Sequence, residues 1–108
     1  MNNKIEGVLY IRSVNNSKVS IDSQKLKGEK YAKRNSLSLS IIEDTQSSGL
    51  EPFNERAGLQ RLVNLIEEGL VKIVVVNSLD RISRDIKQVM TFDELIAKHN
   101  AKLIVLEA

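Results

Sequence analysis

Apolar and polar positions along this chain alternate between two rhythms. Short, nearly unbroken apolar runs are separated by longer stretches whose apolar residues recur at helical spacing. Gly7 to Arg12 (Gly-Val-Leu-Tyr-Ile-Arg) is the first run and predicts a largely buried strand ending in a cation. After a polar turn at Asn15, Asn16 and Ser17, Ser20 is placed to cap a helix from Ile21 to about Asn35. Ile21, Gln24, Gly28 and Tyr31 share one face of it, which carries Gln24 inward near the helix start. Leu37 to Glu43 alternates and then becomes continuous, a second strand that is half exposed at its start. Asp44 to Asn54 reads as a surface loop, with Ser47, Ser48, Gly49 and Pro52. Asn54 then caps a helix from about Glu55 to Glu68, with Leu59, Leu62, Val63 and Ile66 inward and Gly69 as its stop.

Lys72 to Asp85 (Lys-Ile-Val-Val-Val-Asn-Ser-Leu-Asp-Arg-Ile-Ser-Arg-Asp) opens as a buried strand, Ile73 to Val76, and turns densely charged within a few residues. A third helix follows, whose broad apolar arc of Ile86, Val89, Met90, Phe92 and Ile96 is expected to be buried. Asp93 falls inside that arc and needs a partner or solvent. Asn100 suits a left-handed cap, and Lys102 to Leu106 makes a last strand. Strands alternating with helices at short spacing predict an α/β domain: a mainly parallel central sheet of about four strands, with helices on both faces. Ligands of such sheets bind beyond the carboxyl ends of the strands. Arg12 with Ser13, the Ser47-Ser48-Gly49 loop, and Asp80 with Arg81 and Arg84 all fall at that rim.

Composition narrows the chemistry. The 108 residues suit one domain with a single core. No apolar run approaches the roughly 20 residues of a membrane span, and the N-terminus lacks the apolar core of a signal peptide. The absence of cysteine removes disulfide and thiolate chemistry and fits a cytoplasmic protein. His99 is the only histidine, which excludes a zinc site built on His and Cys. Sixteen basic against fourteen acidic residues leave a formal charge of +2, so a case for nucleic acid rests on where the charges sit.

They sit at the rim. Guanidinium groups stay charged and present a planar fork that matches phosphate oxygens, so Arg12, Arg81, Arg84 and Arg56 favour a phosphoryl group. Serines lie among them, and a serine attacking a phosphodiester would form a covalent ester, with arginines stabilising the developing charge. Asp80 is suited to handle protons or to hold an arginine. Taken singly, each feature has an ordinary structural explanation, such as a helix-dipole partner, a solvated helix edge or a simple turn. Their convergence on one rim favours an anion site. A nucleotide-binding module is the competing class, but neither Gly-x-Gly-x-x-Gly nor Gly-x-x-x-x-Gly-Lys occurs.

These residues resemble the catalytic domain of the serine recombinases, the resolvase and invertase group with the large serine integrases and transposases. Tyr10-Ile11-Arg12 looks like the family's first strand, and Ser20-Ile21-Asp22-Ser23-Gln24 like its first-helix motif ending in a functional glutamine. Glu43-Asp44 through Ser48-Gly49, followed by Glu55-Arg56-Ala57-Gly58-Leu59, is similar to its loop and arginine-bearing helix start. Leu79-Asp80-Arg81-Ile82-Ser83-Arg84-Asp85 matches its Leu-Asp-Arg-x-x-Arg-Asp signature. The resemblance implies that Tyr10, Arg12, Gln24, Ser48, Arg56, Asp80, Arg81 and Arg84 surround the scissile phosphate. It implies site-specific DNA recombination through a serine–DNA ester, with no metal or other cofactor. The implied partners are DNA and further copies of the chain, with the full-length protein a dimer on DNA and a tetramer in synapsis. It also implies that residues 1–108 are the catalytic domain alone, without the dimerisation helix and DNA-binding domain.

One departure bears on the nucleophile. The family's strand normally ends Arg-Val-Ser, whereas here the order is Arg12-Ser13-Val14, and Lys18 stands near the place of a second family glutamine. A one-residue shift in an extended strand turns a side chain to the opposite face. Ser13 is the expected nucleophile, with Ser17 a weaker candidate. The alternative is a recombinase-like protein that has lost cleavage and regulates or pairs with an active one.

Overall fold

The computed structural model describes residues 7–14, 18–45, 50 and 56–107. Four parallel strands, β1 (Gly7–Arg12), β2 (Leu39–Asp44), β3 (Ile73–Val76) and β4 (Lys102–Val105), form one sheet in the order β2-β1-β3-β4. Helices α1 (Lys18–Arg34), α2 (Ala57–Glu67) and α3 (Ile86–Lys98) make the crossovers. Strand alternation divides the interior in two. Val8, Tyr10, Ile42, Val74 and Val76 meet Leu59, Leu62 and Ile66 of α2 and Phe92 and Ile96 of α3. Leu9, Ile11 and Val75 point the other way, toward Ile21 and Tyr31 of α1. The sheet therefore carries helices on both faces, and its parallel strands end on a common rim.

Gly28 lets α1 lie close against β1, because a Cβ there would come within 2.4 Å of the Leu9 side chain. Gly58 plays the same part under α2, where a Cβ would stand 2.8 Å from both the Glu43 carbonyl and the Asp44 carboxylate. Gly69 closes α2 at φ 75°, and Asn100 takes the left-handed turn after α3 at φ 56°. No helix among the described residues is long and apolar enough to cross a membrane.

Several boundaries depart from sequence expectation. Helix α1 begins at Lys18, so Ser20 lies inside the first turn rather than capping it. β2 starts at Leu39 rather than Leu37, because the Leu37 amide closes the end of α1 by donating to the Ala32 carbonyl at 2.8 Å. Asn54, expected to cap α2, lies outside the described residues. The residue preceding α2 is Arg56, whose side chain makes no cap bond. The expected burial of the α3 arc is half right. Phe92 and Ile96 are buried, but Ile86 is 68% and Met90 58% exposed. Because α3 packs against β4, the outermost strand, its apolar arc is wider than the sheet available to cover it. Asp93 reaches solvent.

Candidate active site

The rim is assembled by backbone contacts that fix where the chain leaves each strand. At the end of β1, the buried Gln24 of α1 meets the Arg12 peptide edge-on. Its Nε2 donates to the Arg12 carbonyl at 3.0 Å, and its Oε1 accepts from the Arg12 amide at 3.4 Å. Nε2 also donates to Ser20 Oγ at 3.2 Å. Gln24 thus acts on the strand end rather than on open space. Beyond β3, Leu79 to Arg81 form a short 3-10 turn, which the Arg12 guanidinium grips by donating to the Asp80 carbonyl from Nη2 at 2.7 Å and from Nε at 3.2 Å. Arg81 returns the contact, with Nη1 donating to the Arg12 carbonyl at 3.3 Å. The Arg12 guanidinium therefore ties the ends of β1 and β3 together, and Arg81 adds only a longer contact.

Arg56 is the third cation, and it is buried. Its Nη1 donates to the Ile82 carbonyl, and its Nη2 donates to the Arg81 carbonyl at 3.0 Å and to the Tyr10 hydroxyl at 2.7 Å. Its guanidinium carbon lies 5.7 Å from the Tyr10 ring centre. These contacts hold the turn that carries Asp80 and Arg81 against α2 and β1. Packing Arg12, Arg56 and Arg81 together has an electrostatic consequence. Burial first, then the Arg56 and Arg81 charges, lower the proton affinity of Arg12 below an arginine's ordinary value. Of the signature residues, Arg84 is exposed and has no ion-pair partner among the described residues, and Arg81 Nε is buried without a protein acceptor. Asp80 is exposed and accepts from Ser78 Oγ at 2.5 Å.

Sequence reading missed one residue that organises this rim. Asp44, expected to begin a surface loop, ends β2 and is buried. Its carboxylate accepts from the Tyr10 hydroxyl at 2.5 Å and from the Gly58 and Leu59 amides at 2.7 and 2.8 Å. It caps α2 from another element and ties β2, β1 and α2 together. The signal was available in the period of two, since Asp44 follows buried Ile42 on the same face of β2.

Tyr10 carries a testable consequence. Burial, then its hydrogen bond to Asp44, raises its phenol well above the ordinary value. The native state holds this proton where the unfolded chain releases it, so stability is complete below about pH 10 and falls as pH rises beyond it. Tyr10→Phe is expected to lessen that alkaline loss, as urea midpoints between pH 8 and 11 would reveal. An unchanged slope would contradict the assignment.

Ser13 directly follows β1, is 2% exposed, and donates its amide to the Asp44 carbonyl at 3.0 Å. Val14 is 56% exposed. Ser17 and Ser48 lie outside the described residues. Tyr10, Arg12, Gln24, Arg56, Asp80 and Arg81 are brought into one connected cluster. Exposed Arg84 makes no hydrogen bond or ion pair with that cluster and lines a surface groove with Asp80 and Ser83.

The family model for the resolvase N-terminal domain matches residues 7–108, so the chain belongs to the resolvase N-terminal domain family. Solved structures agree. The C-terminal catalytic domain of ISC1926 TnpA, an IS607-like serine recombinase, superposes with a TM-score of 0.86 at 25% identity, covering 96% of this chain and 69% of that one. The N-terminal catalytic domain of TP901-1 integrase gives 0.84 at 29% identity, covering 94% and 77%. The first open reading frame of transposon ISC1904 from Sulfolobus solfataricus P2 gives 0.80 at 27% identity, covering 95% and 68%. Among curated proteins, no sequence matches. The family supports site-specific recombination as the general setting of this fold.

Proposed function

We propose that this chain cleaves and rejoins DNA through a covalent ester on Ser13. The observation that carries this reading is the packing of the Arg12, Arg56 and Arg81 guanidiniums at the carboxyl ends of β1 and β3, with exposed Arg84 three residues after Arg81. Fixed positive charge of this kind stabilises a phosphodiester whose oxygens gain negative charge in the transition state, and it needs no rearrangement at that moment. In the proposed step the serine oxygen bonds to phosphorus and one bond from phosphorus to a sugar oxygen breaks. The serine proton leaves and the departing oxygen takes up a proton, and Asp80 is the carboxylate assigned to that exchange. Rejoining is the reverse attack by a sugar hydroxyl, so the ester conserves the bond energy and neither ATP nor a metal enters.

Arg81 and Arg84 contact phosphate in this scheme. Arg56, Gln24 and Tyr10 hold the elements that present it, and the family resemblance assigns Ser48 a part in phosphate binding. Because Ser13 is buried in the free protein, cleavage requires the segment after Arg12 to open when DNA binds. The partners are DNA and, for a full-length protein, further copies, two on each site and four in synapsis, acting in the cytoplasm.

A second reading has its own observation. Exposed Val14 occupies the family's nucleophile position and buried Ser13 does not, which is the arrangement of a relative that pairs with an active recombinase without cutting. Labelled duplex DNA from the ends of the protein's own genetic element separates the two. The cleavage reading expects a covalent adduct on a denaturing gel that Ser13→Ala abolishes. The silent reading expects no adduct until the pair is exchanged to Val-Ser by S13V/V14S.

A further inference from the structure

We propose that Gln88, in the first turn of α3, is a positioning residue for Arg84: through the buried Ser83 hydroxyl it fixes the backbone on both sides of that arginine before phosphate arrives. This role deepens the reading of Arg84 as a phosphate contact and rests on it.

Arg84 is exposed, and residues 82–85 belong to neither helix nor strand. A segment of that kind is ordinarily among the first to open locally. Here each of its residues except Arg84 is held. Ile82 is fully buried, and its carbonyl accepts from Arg56 Nη1. Ser83 is 2% exposed, and its Oγ accepts from the Asp85 amide at 2.9 Å while donating to Gln88 Oε1 at 3.0 Å. The Asp85 carboxylate accepts from the Lys87 amide at 2.9 Å and so caps α3.

Gln88 stands three residues after this cap, where a glutamine commonly reaches back to the cap residue's own amide. That direct bond would be enough to start the helix. Instead the Ser83 hydroxyl stands between the two, and the bonds run from the Asp85 amide to Ser83 Oγ to Gln88 Oε1. The consequence falls on Arg84. The bond from the residue after it to the side chain of the residue before it closes a turn with Arg84 at its centre. Serine turns of this type are weak on their own. A hydroxyl has a single proton, and giving it to Gln88 directs a lone pair at the Asp85 amide and strengthens that bond. Arg84 thus reaches solvent from a fixed base, and a cation held this way loses less conformational freedom when it binds.

DNA binding and amide hydrogen exchange test the clamp. Ser83→Ala is the sharper variant, because it leaves Gln88 able to reach the Asp85 amide directly and so keeps the helix start. Gln88→Ala and Ser83→Ala should each weaken binding of labelled duplex DNA from the ends of the protein's own genetic element by about three- to tenfold. The double variant should lose no more than either single one, because both break the same chain of bonds. With Arg84→Ala already present, both should lose their effect, whereas a residue that only caps the helix would act equally in either background. In the free protein, the Asp85 amide should exchange about tenfold faster in Gln88→Ala. The Val89 amide, bonded to the Asp85 carbonyl at 3.1 Å, should keep its wild-type rate. Equal losses with and without Arg84, DNA affinity indifferent to Arg84→Ala, or unchanged Asp85 exchange in Gln88→Ala would each overturn the proposal. Neither measurement reads cleavage, so a chain that shows these effects but forms no adduct loses the cleavage reading and keeps the clamp.

Discussion

Asp44→Ala should lower folding stability by about 3–5 kcal/mol, the largest loss expected from any single carboxylate in the chain. Three donors lose their acceptor at once: the Tyr10 hydroxyl and the Gly58 and Leu59 amides, all buried or at a helix start. A buried donor left unpaired costs its full desolvation, about 1–3 kcal/mol each, rather than the small net value of a hydrogen bond. A small domain holds only about 5–15 kcal/mol in total, so the variant is left marginal. Asp44→Asn keeps one acceptor and turns an amide toward the remaining donors, for an expected loss of about 1–3 kcal/mol. Urea denaturation ranks the two. A loss below 1 kcal/mol for Asp44→Ala would remove Asp44 as the tie among β1, β2 and α2.

Arg81→Ala and Arg56→Ala should then separate the site from its brace. Arg56 is buried and its nitrogens serve Ile82, Arg81 and Tyr10, so its removal should cost about 2–4 kcal/mol of stability. Arg81 is half-buried, its Nη1 bond to Arg12 is long, and its Nε has no protein acceptor. Deleting it removes a buried unpaired donor, and stability should change by less than about 1 kcal/mol. Adduct formation should nevertheless fall by about 10²–10³-fold, the usual cost of losing one transition-state donor. Urea midpoints and single-turnover adduct rates measure the two effects. If Arg56→Ala left stability intact, or Arg81→Ala left adduct rates intact, the division of roles among the arginines would be wrong.

The parts of this molecule legible in its sequence were those governed by short-range rules. β1 and β3 are continuous apolar runs because both faces of a central parallel strand are covered, and their limits match expectation at Gly7–Arg12 and Ile73–Val76. Gly69 and Asn100 ended their helices as their conformational freedom suggests. The errors arose where tertiary contacts override local preference. A remote carboxylate, Asp44, replaces the local cap expected for α2. The outermost strand leaves part of the α3 arc bare, which periodicity alone cannot reveal.

The same division holds at the rim. That Arg12, Asp80 and Arg81 meet followed from parallel strands ending together. Sequence gave no sign that Arg12 and Arg56 would be occupied by backbone carbonyls, because those partners carry no side-chain signature. Nor did it distinguish arginines that brace the turn from one that stands open to solvent.

Locating the adducted residue is the most direct test of Ser13 as nucleophile in this arginine-lined rim. The protein would be trapped on labelled DNA, digested with nuclease and protease, and the nucleotide-bearing peptide fragmented in a mass spectrometer. The residual nucleotide mass is expected on Ser13. Its appearance on any other serine, or on none while the protein binds the same DNA, would contradict that assignment.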